Sequence, residues 1–155
     1  MPGYKLKEFL DSRHIRYTSI KHSPSYTAQE IAQSAHISGK EMLKTVMVQI
    51  DGEMAMAVLP ASYRVDLDVL KASTGAKNVE LTPERQFKDK FPDCEVGAMP
   101  PFGNLYGVTV FASPRIAEDE LIAFNAGTHT ELIQLGYRDY AELVSPNIVR
   151  LSQHD

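Results

Sequence analysis

Asp51-Gly52 sits between two apolar runs, residues 45–50 and 53–59. A two-residue type I′ turn needs positive φ at both central positions, and Asp-Gly adopts it readily. The chain is predicted to reverse here and to pair the two runs antiparallel. Side chains alternate along a strand, so Met42, Lys44, Val46, Val48 and Ile50 share one face. That face is apolar except for Lys44. A buried ammonium is unfavourable unless it is paired or used. Either the strand begins after residue 44 and the ammonium snorkels to water, or Lys44 lines a functional pocket.

The remaining elements interleave irregularly. Residues 3–13 read as a helix with Leu6, Phe9 and Leu10 on one side, and 15–20 as a short strand. Thr27 with Glu30 forms a capping box that opens a second helix. Asp66 caps a helix through about residue 73, with Gly75 ending it. Strands are expected at 78–81, 106–112, 121–125 and 130–135. Helices are expected from Thr82-Pro83, with Pro83 in the first position, and over 137–144, stopped by Ser145-Pro146. With one clear hairpin, this order points to mixed α/β or α+β rather than a doubly wound sheet. At 155 residues, with no repeat or linker, the chain reads as one domain, 1–155.

Composition narrows the function classes. Hydrophobic residues make up 43% and charged residues 23%, as in a soluble globular protein. No apolar run approaches the roughly 20 residues that span a membrane, and the first ten residues lack a signal core. Cys94 is the only cysteine, so neither an internal disulfide nor a CxxC zinc site is available. A cytoplasmic location without membrane contact is the expectation. A net charge of −4 argues against broad, charge-driven binding of nucleic acid. Residues 1–22 nevertheless carry Lys5, Lys7, Arg13, Arg16 and Lys21 against Glu8 and Asp11, an excess of three positive charges. This segment is either a solvated helix face or a phosphate-contacting surface.

Two loops stand out. Gly97-Ala98-Met99-Pro100-Pro101-Phe102-Gly103 places two prolines between two glycines, which makes a stiff loop with permissive ends. Its N–H donors are those of Gly97, Ala98, Met99, Phe102 and Gly103. It is either a rigid connection or a backbone cradle for a ligand, and it lacks the order of a phosphate loop. Gly127-Thr128-His129-Thr130 lies between two expected strands, as a surface turn or as a histidine at a pocket rim. The other histidines show no metal-ligand spacing, so no metal site is expected. Cys94 reads as a small hydrophobe more readily than as a nucleophile.

Taken together, the Thr27–Glu30 helix start, Leu43-Lys44-Thr45-Val46 entering a hairpin, the Gly97–Gly103 loop and Gly127-Thr128-His129 resemble the YbaK / ProXp family of aminoacyl-tRNA deacylases. That family is similar to the editing insertion domain of bacterial prolyl-tRNA synthetases. The resemblance runs from about residue 4 to 151. It implies a compact mixed α/β domain with a curved, barrel-like sheet flanked by helices. It also implies a trans-editing hydrolase that cleaves the ester of a mischarged aminoacyl-tRNA, tRNA for proline foremost, without a cofactor. Lys44 matches the family's essential lysine, and Gly97 to Pro101 its GxxxP substrate loop. His129 matches a Gly-x-His element of some members. Thr27, Thr45, Ala98, Met99, Pro100, Phe102, Gly103 and Gly127 are the further expected substrate contacts.

The implied partners are the tRNA 3′ end and, for delivery, an aminoacyl-tRNA synthetase. An aminoacyl ester is already activated, so its hydrolysis needs positioning and oxyanion stabilisation more than a strong nucleophile. Lys44 is expected at a pocket mouth, partly solvated, beside a carboxylate or backbone carbonyls. The alternatives are a non-catalytic module that binds tRNA ends or a synthetase, and a Schiff-base enzyme using a desolvated Lys44.

Overall fold

The computed structural model describes residues 4–22, 30 and 41–155. The Asp51-Gly52 turn forms as expected, with φ of 50° and 85° at its two central residues. It joins β2 (Leu43–Ile50) to β3 (Glu53–Pro60) in an antiparallel ladder that runs from Ile50↔Glu53 to Leu43↔Pro60. The Asp51 carboxylate also accepts from the N–H groups of Lys77 and Asn78, both at 2.9 Å. The turn residue thereby fixes the approach to β4 (Val79–Leu81), which pairs with the outer edge of β2.

β3 pairs in parallel with β5 (Thr109–Ala112), and β5 in parallel with β8 (Asn147–Ile148). The result is a five-stranded mixed sheet of order β4-β2-β3-β5-β8. β1 (Tyr17–Lys21), β7 (Glu131–Gly136) and β6 (Leu121–Asn125) make a separate antiparallel sheet of order β1-β7-β6. The two sheets meet at a parallel bridge between Met42 and Ala123. The mixed α/β class is as predicted. The strands divide between two joined sheets instead of closing into a barrel.

The helices are α1 (Tyr4–Ser12), α2 (Leu67–Thr74), α3 (Glu84–Phe87) and α4 (Tyr137–Val144). Asp66 caps α2 by accepting from Asp68 and Val69 N–H, an arrangement worth about 1 kcal/mol. Gly75, at φ 71°, ends it. Pro83 stands at the cap of α3 with extended ψ, one position earlier than expected. The strand expected at 106–112 starts only at Thr109, because a 3-10 turn, Gly103–Leu105, and Gly107 at φ 68° occupy the segment before it. A second 3-10 helix, Pro114–Glu118, and the two-residue β8 carry no sequence periodicity and went unpredicted. The helix expected from Thr27 lies outside the described residues.

Both faces of β2 are covered. Leu43 and Met47 enter the main core with Met99, Phe102, Phe124 and Tyr140. Phe102 centres that core, with ring centroids of Phe124 at 5.5 Å and Tyr140 at 5.3 Å. Val46, Val48 and Ile50 face the other way and pack with Leu59, Leu70 and Leu151 under α2 and the C-terminal segment. Met42 joins a third, small cluster with Ala123 and Leu132 on the outer face of the second sheet. Lys44 lies on the same face of β2 as Met42 and Val46, between the residues of the second and third clusters. No helix among the described residues is long and apolar enough to cross a membrane.

Candidate active site

Lys44 lies inside β2, opposite Leu59, and is half-buried. The strand starts before it, so the option of a later strand start fails. Burial, and then the nearby positive charge of Arg64, hold its ammonium below the ordinary lysine value of 10.5. Of the two expected kinds of neighbour, a carboxylate or backbone carbonyls, no carboxylate acts on the Lys44 charge, and the charged neighbour that does is Arg64. Among the described residues Lys44 has no ion pair with a carboxylate. Such a charge is poised for an anionic or strongly polar ligand.

The Gly97 loop and the Gly127 turn are stitched together by hydrogen bonds. Glu95 N–H donates to the Gly127 carbonyl at 2.7 Å, and Gly127 N–H to the Ala98 carbonyl at 2.9 Å. His129 N–H donates to Glu95 Oε1 at 2.7 Å, and His129 Nε2 meets the Val96 carbonyl at 2.8 Å. Hydrogen bonds from the Thr128 hydroxyl and the His129 N–H hold the Glu95 carboxyl below its usual range. Gly97 and Gly127 adopt φ of 84° and 91°, a region that L side chains rarely enter. The His129 ring lies over Gly97, where a Cβ would stand 3.5 Å from Cε1.

Farther along the loop, Phe102 N–H donates to the Pro100 carbonyl and Tyr140 hydroxyl to the buried Pro101 carbonyl, both at 2.8 Å. Ala98 N–H is taken by the Glu95 carbonyl at 3.0 Å. Among the described residues the N–H groups of Gly97 and Met99 make no hydrogen bond. Gly97 is exposed and Met99 is buried.

Of the residues singled out from the sequence, Gly97, Ala98, Gly127 and His129 come together in this clasp. Met99 and Phe102 send their side chains into the main core and can offer a ligand only backbone. Pro100, Pro101 and Gly103 are buried beside them. Thr45 points to the same side of β2 as Leu43 and Met47, opposite to Lys44. Thr27 lies outside the described residues. The Met42↔Ala123 bridge relates the two halves: β2 and β6 leave it in the same direction, β2 to Lys44 and β6 to the Gly127 turn.

Glu95, Tyr140 and Arg64 were not anticipated. Glu95 stands two residues before the loop and Tyr140 on a helix, and neither position signals its partner. Cys94 Sγ lies 3.3 Å from the Tyr106 hydroxyl, which donates to Asp93 at 2.9 Å. Burial pushes the Cys94 thiol up to about 11, so it stays protonated at neutral pH and is a poor nucleophile.

In the basic N-terminal segment, Lys7 pairs with Glu131 at 2.8 Å, Lys5 lies over the Tyr106 ring and Arg13 over the Phe9 ring. Arg16 and Lys21 remain exposed. Among the described residues no three of His, Cys, Asp and Glu are grouped as metal ligands.

Residues 22–143 match the family described as the aminoacyl-tRNA editing domain. The chain is 31% identical over 117 residues to the proline–tRNA ligase of Streptomyces coelicolor, covering 74% of this chain and 20% of that enzyme. It thus spans about a fifth of that synthetase. It is 23% identical over 144 residues to the prolyl-tRNA editing protein ProX of Acetoanaerobium sticklandii, covering 89% of this chain and 87% of ProX. A crystal structure assigned to a trans-editing enzyme for prolyl tRNA synthetase superposes with a TM-score of 0.83 at 14% identity, over 97% of this chain and 96% of that one.

Proposed function

The chain belongs to the aminoacyl-tRNA editing domain family, and from that premise we propose that it clears tRNA for proline of wrongly attached amino acids, with Lys44 as the charged group at the reacting ester. The family reaction is deacylation of mischarged aminoacyl-tRNA. Water adds to the ester carbonyl carbon, the bond to the ribose oxygen breaks, and that oxygen takes up a proton. Free amino acid and tRNA leave.

One observation carries the role of Lys44: a half-buried ammonium with no carboxylate partner among the described residues, on the strand that meets β6. A cation left unpaired in a partly desolvated site interacts more strongly with a developing oxyanion or a phosphate than it would in water. The free N–H groups of Gly97 and Met99 supply a second set of donors on a loop held rigid by Glu95, His129 and Tyr140. Preorganised donors of this kind need no reorganisation during reaction. The thiol of Cys94 has no part in this scheme. One domain over residues 1–155 suffices for the chemistry, a synthetase can serve to deliver the tRNA, and the cytoplasm, where charged tRNA resides, is the place of action.

The test is a deacylation screen. Purified protein is incubated with a panel of mischarged tRNAs, including tRNA for proline carrying alanine, serine, threonine or cysteine. Release from a member of the proline set, abolished in Lys44→Met, is the expected result. Survival of the whole panel would favour a binding module without catalysis.

A further inference from the structure

His129 is exposed, yet it is held at two points. Its Nε2 lies 2.8 Å from the Val96 carbonyl oxygen, and its backbone N–H donates to Glu95 Oε1 at 2.7 Å. A carbonyl oxygen only accepts, so Nε2 must carry the proton. In the neutral ring the lone pair then sits on Nδ1, because the bond made by one ring nitrogen fixes the role of the other. Among the described residues Nδ1 has no hydrogen-bond partner. We propose that Glu95 is a positioning residue, which sets His129 so that Nδ1 accepts a hydrogen bond from the α-ammonium of the esterified amino acid. This deepens the deacylase reading above and rests on it.

The pose of the ring is built by both loops. A Cβ on Gly97 would stand 3.5 Å from His129 Cε1 and 3.7 Å from Nε2. That edge of the imidazole rests on the loop, which leaves the Nδ1 side of the ring for a ligand. Glu95 joins the two loops with three bonds of its own. Its N–H donates to the Gly127 carbonyl at 2.7 Å, its carbonyl accepts from Ala98 N–H at 3.0 Å, and its carboxylate accepts from His129 N–H. The far end of the turn is fastened as well. Ala126 N–H donates to the Glu131 carbonyl at 3.0 Å, and the Glu131 carboxylate accepts from Lys7 at 2.8 Å and from the Ser19 hydroxyl.

The side-chain groups that Glu95 and His129 present outward are acceptors. One is Nδ1. The other is the exposed Glu95 carboxylate, which hydrogen bonds from the Thr128 hydroxyl and then the His129 N–H keep ionised at neutral pH. Among the described residues Glu95 has no salt bridge to lysine or arginine. An aminoacyl ester carries one cation, its α-ammonium, with three N–H donors. A charge-assisted hydrogen bond to a fixed acceptor is about twice as strong as a neutral one. An ester without the ammonium leaves that acceptor unpaired and is discriminated against. The contact therefore selects aminoacyl esters over plain acyl esters, whatever the side chain.

The experiment compares hydrolysis of the mischarged tRNA that wild type cleaves fastest with its desamino analogue, in which hydrogen replaces the ammonium. Each rate is divided by the uncatalysed rate of the same ester. Wild type is expected to prefer the amino ester by roughly tenfold or more. His129→Phe and Glu95→Ala should each bring the ratio near unity. Glu95→Gln, which keeps the acceptor oxygen and loses the charge, should fall between. The double variant should lose no more preference than His129→Phe alone, since both act through one ring. A ratio near unity in wild type would overturn the assignment. So would an equal loss on both esters in Glu95→Ala, the mark of a merely structural role. A second arm needs no turnover: nitrogen NMR of histidine-labelled protein with a non-hydrolysable alanylamido-adenosine and its desamino counterpart. Wild type should show the Nε2–H tautomer of His129, and an Nδ1 shift with the amino compound alone. An Nδ1–H tautomer, or equal shifts with both compounds, would contradict the proposal. The selective Nδ1 shift in a protein that hydrolyses no mischarged tRNA would sink the deacylase reading and leave the ammonium contact standing.

Discussion

Between Glu95 and Pro101 most polar groups have partners: Glu95 holds His129, Gly127 holds Ala98, and Tyr140 holds Pro101. At Lys44 the opposite holds. Its ammonium is half-buried, its charged neighbour is another cation, and no carboxylate among the described residues compensates it. The first region is arranged to stay where it is. The second keeps an unfavourable charge in place, and such local costs persist where a ligand uses them. Both follow the β2–β6 bridge in the same direction along the chain, Lys44 on β2 and the Gly127 turn after β6. That combination suits an activated ester better than a nucleophile does.

The comparison breaks most visibly if the two regions respond alike to substitution. Lys44→Met should lower single-turnover deacylation by about 100- to 1,000-fold, the scale of removing one transition-state charge contact. Its melting temperature should hold or rise, because an unpaired charge leaves an apolar strand face. A large loss of stability instead would make Lys44 structural.

Gly103→Ala should do the reverse in kind. A Cβ there runs into the Val108 carbonyl oxygen and comes within 2.7 Å of Val110 Cγ2. Denaturant unfolding should show a loss of about 3 kcal/mol, the upper range of overpacking. Tyr140→Phe leaves the buried Pro101 carbonyl without its donor and should destabilise by about 1–2 kcal/mol, with a smaller fall in deacylation as the loop loosens.

The smallest effect is one of pH. The folded protein holds the Lys44 pKa below 10.5, so in the interval between that lowered value and 10.5 the unfolded chain binds more protons. Stability should therefore gain a little as pH rises through the folded pKa, and Lys44→Met should lack that gain. Arg64→Gln should shrink it, since one of the two causes of the shift is removed. An identical alkaline profile in all three proteins would show that Arg64 and burial do not act on Lys44.

The sequence made the hairpin legible because Asp51-Gly52 leaves few other turn geometries, and Asp66 and Gly75 marked α2 for the same kind of local reason. Lys44 was legible as an anomaly of alternation. What escaped was set by tertiary pairing. The parallel partnership of β3 with β5 and the division into two sheets have no local signature. Met99 and Phe102 were expected as substrate contacts from the family's loop, and the fold packs both side chains in the main core. Glu95 and Arg64 are ordinary charged residues in sequence, and their positions follow only from what folds against them.

The most direct test of the account is release of free amino acid from mischarged tRNA for proline, measured side by side for wild type and a folded Lys44→Ala variant. The account predicts rapid release by wild type and release near the uncatalysed rate by the variant. Equal release by both, with the variant's fold verified by circular dichroism, would contradict it.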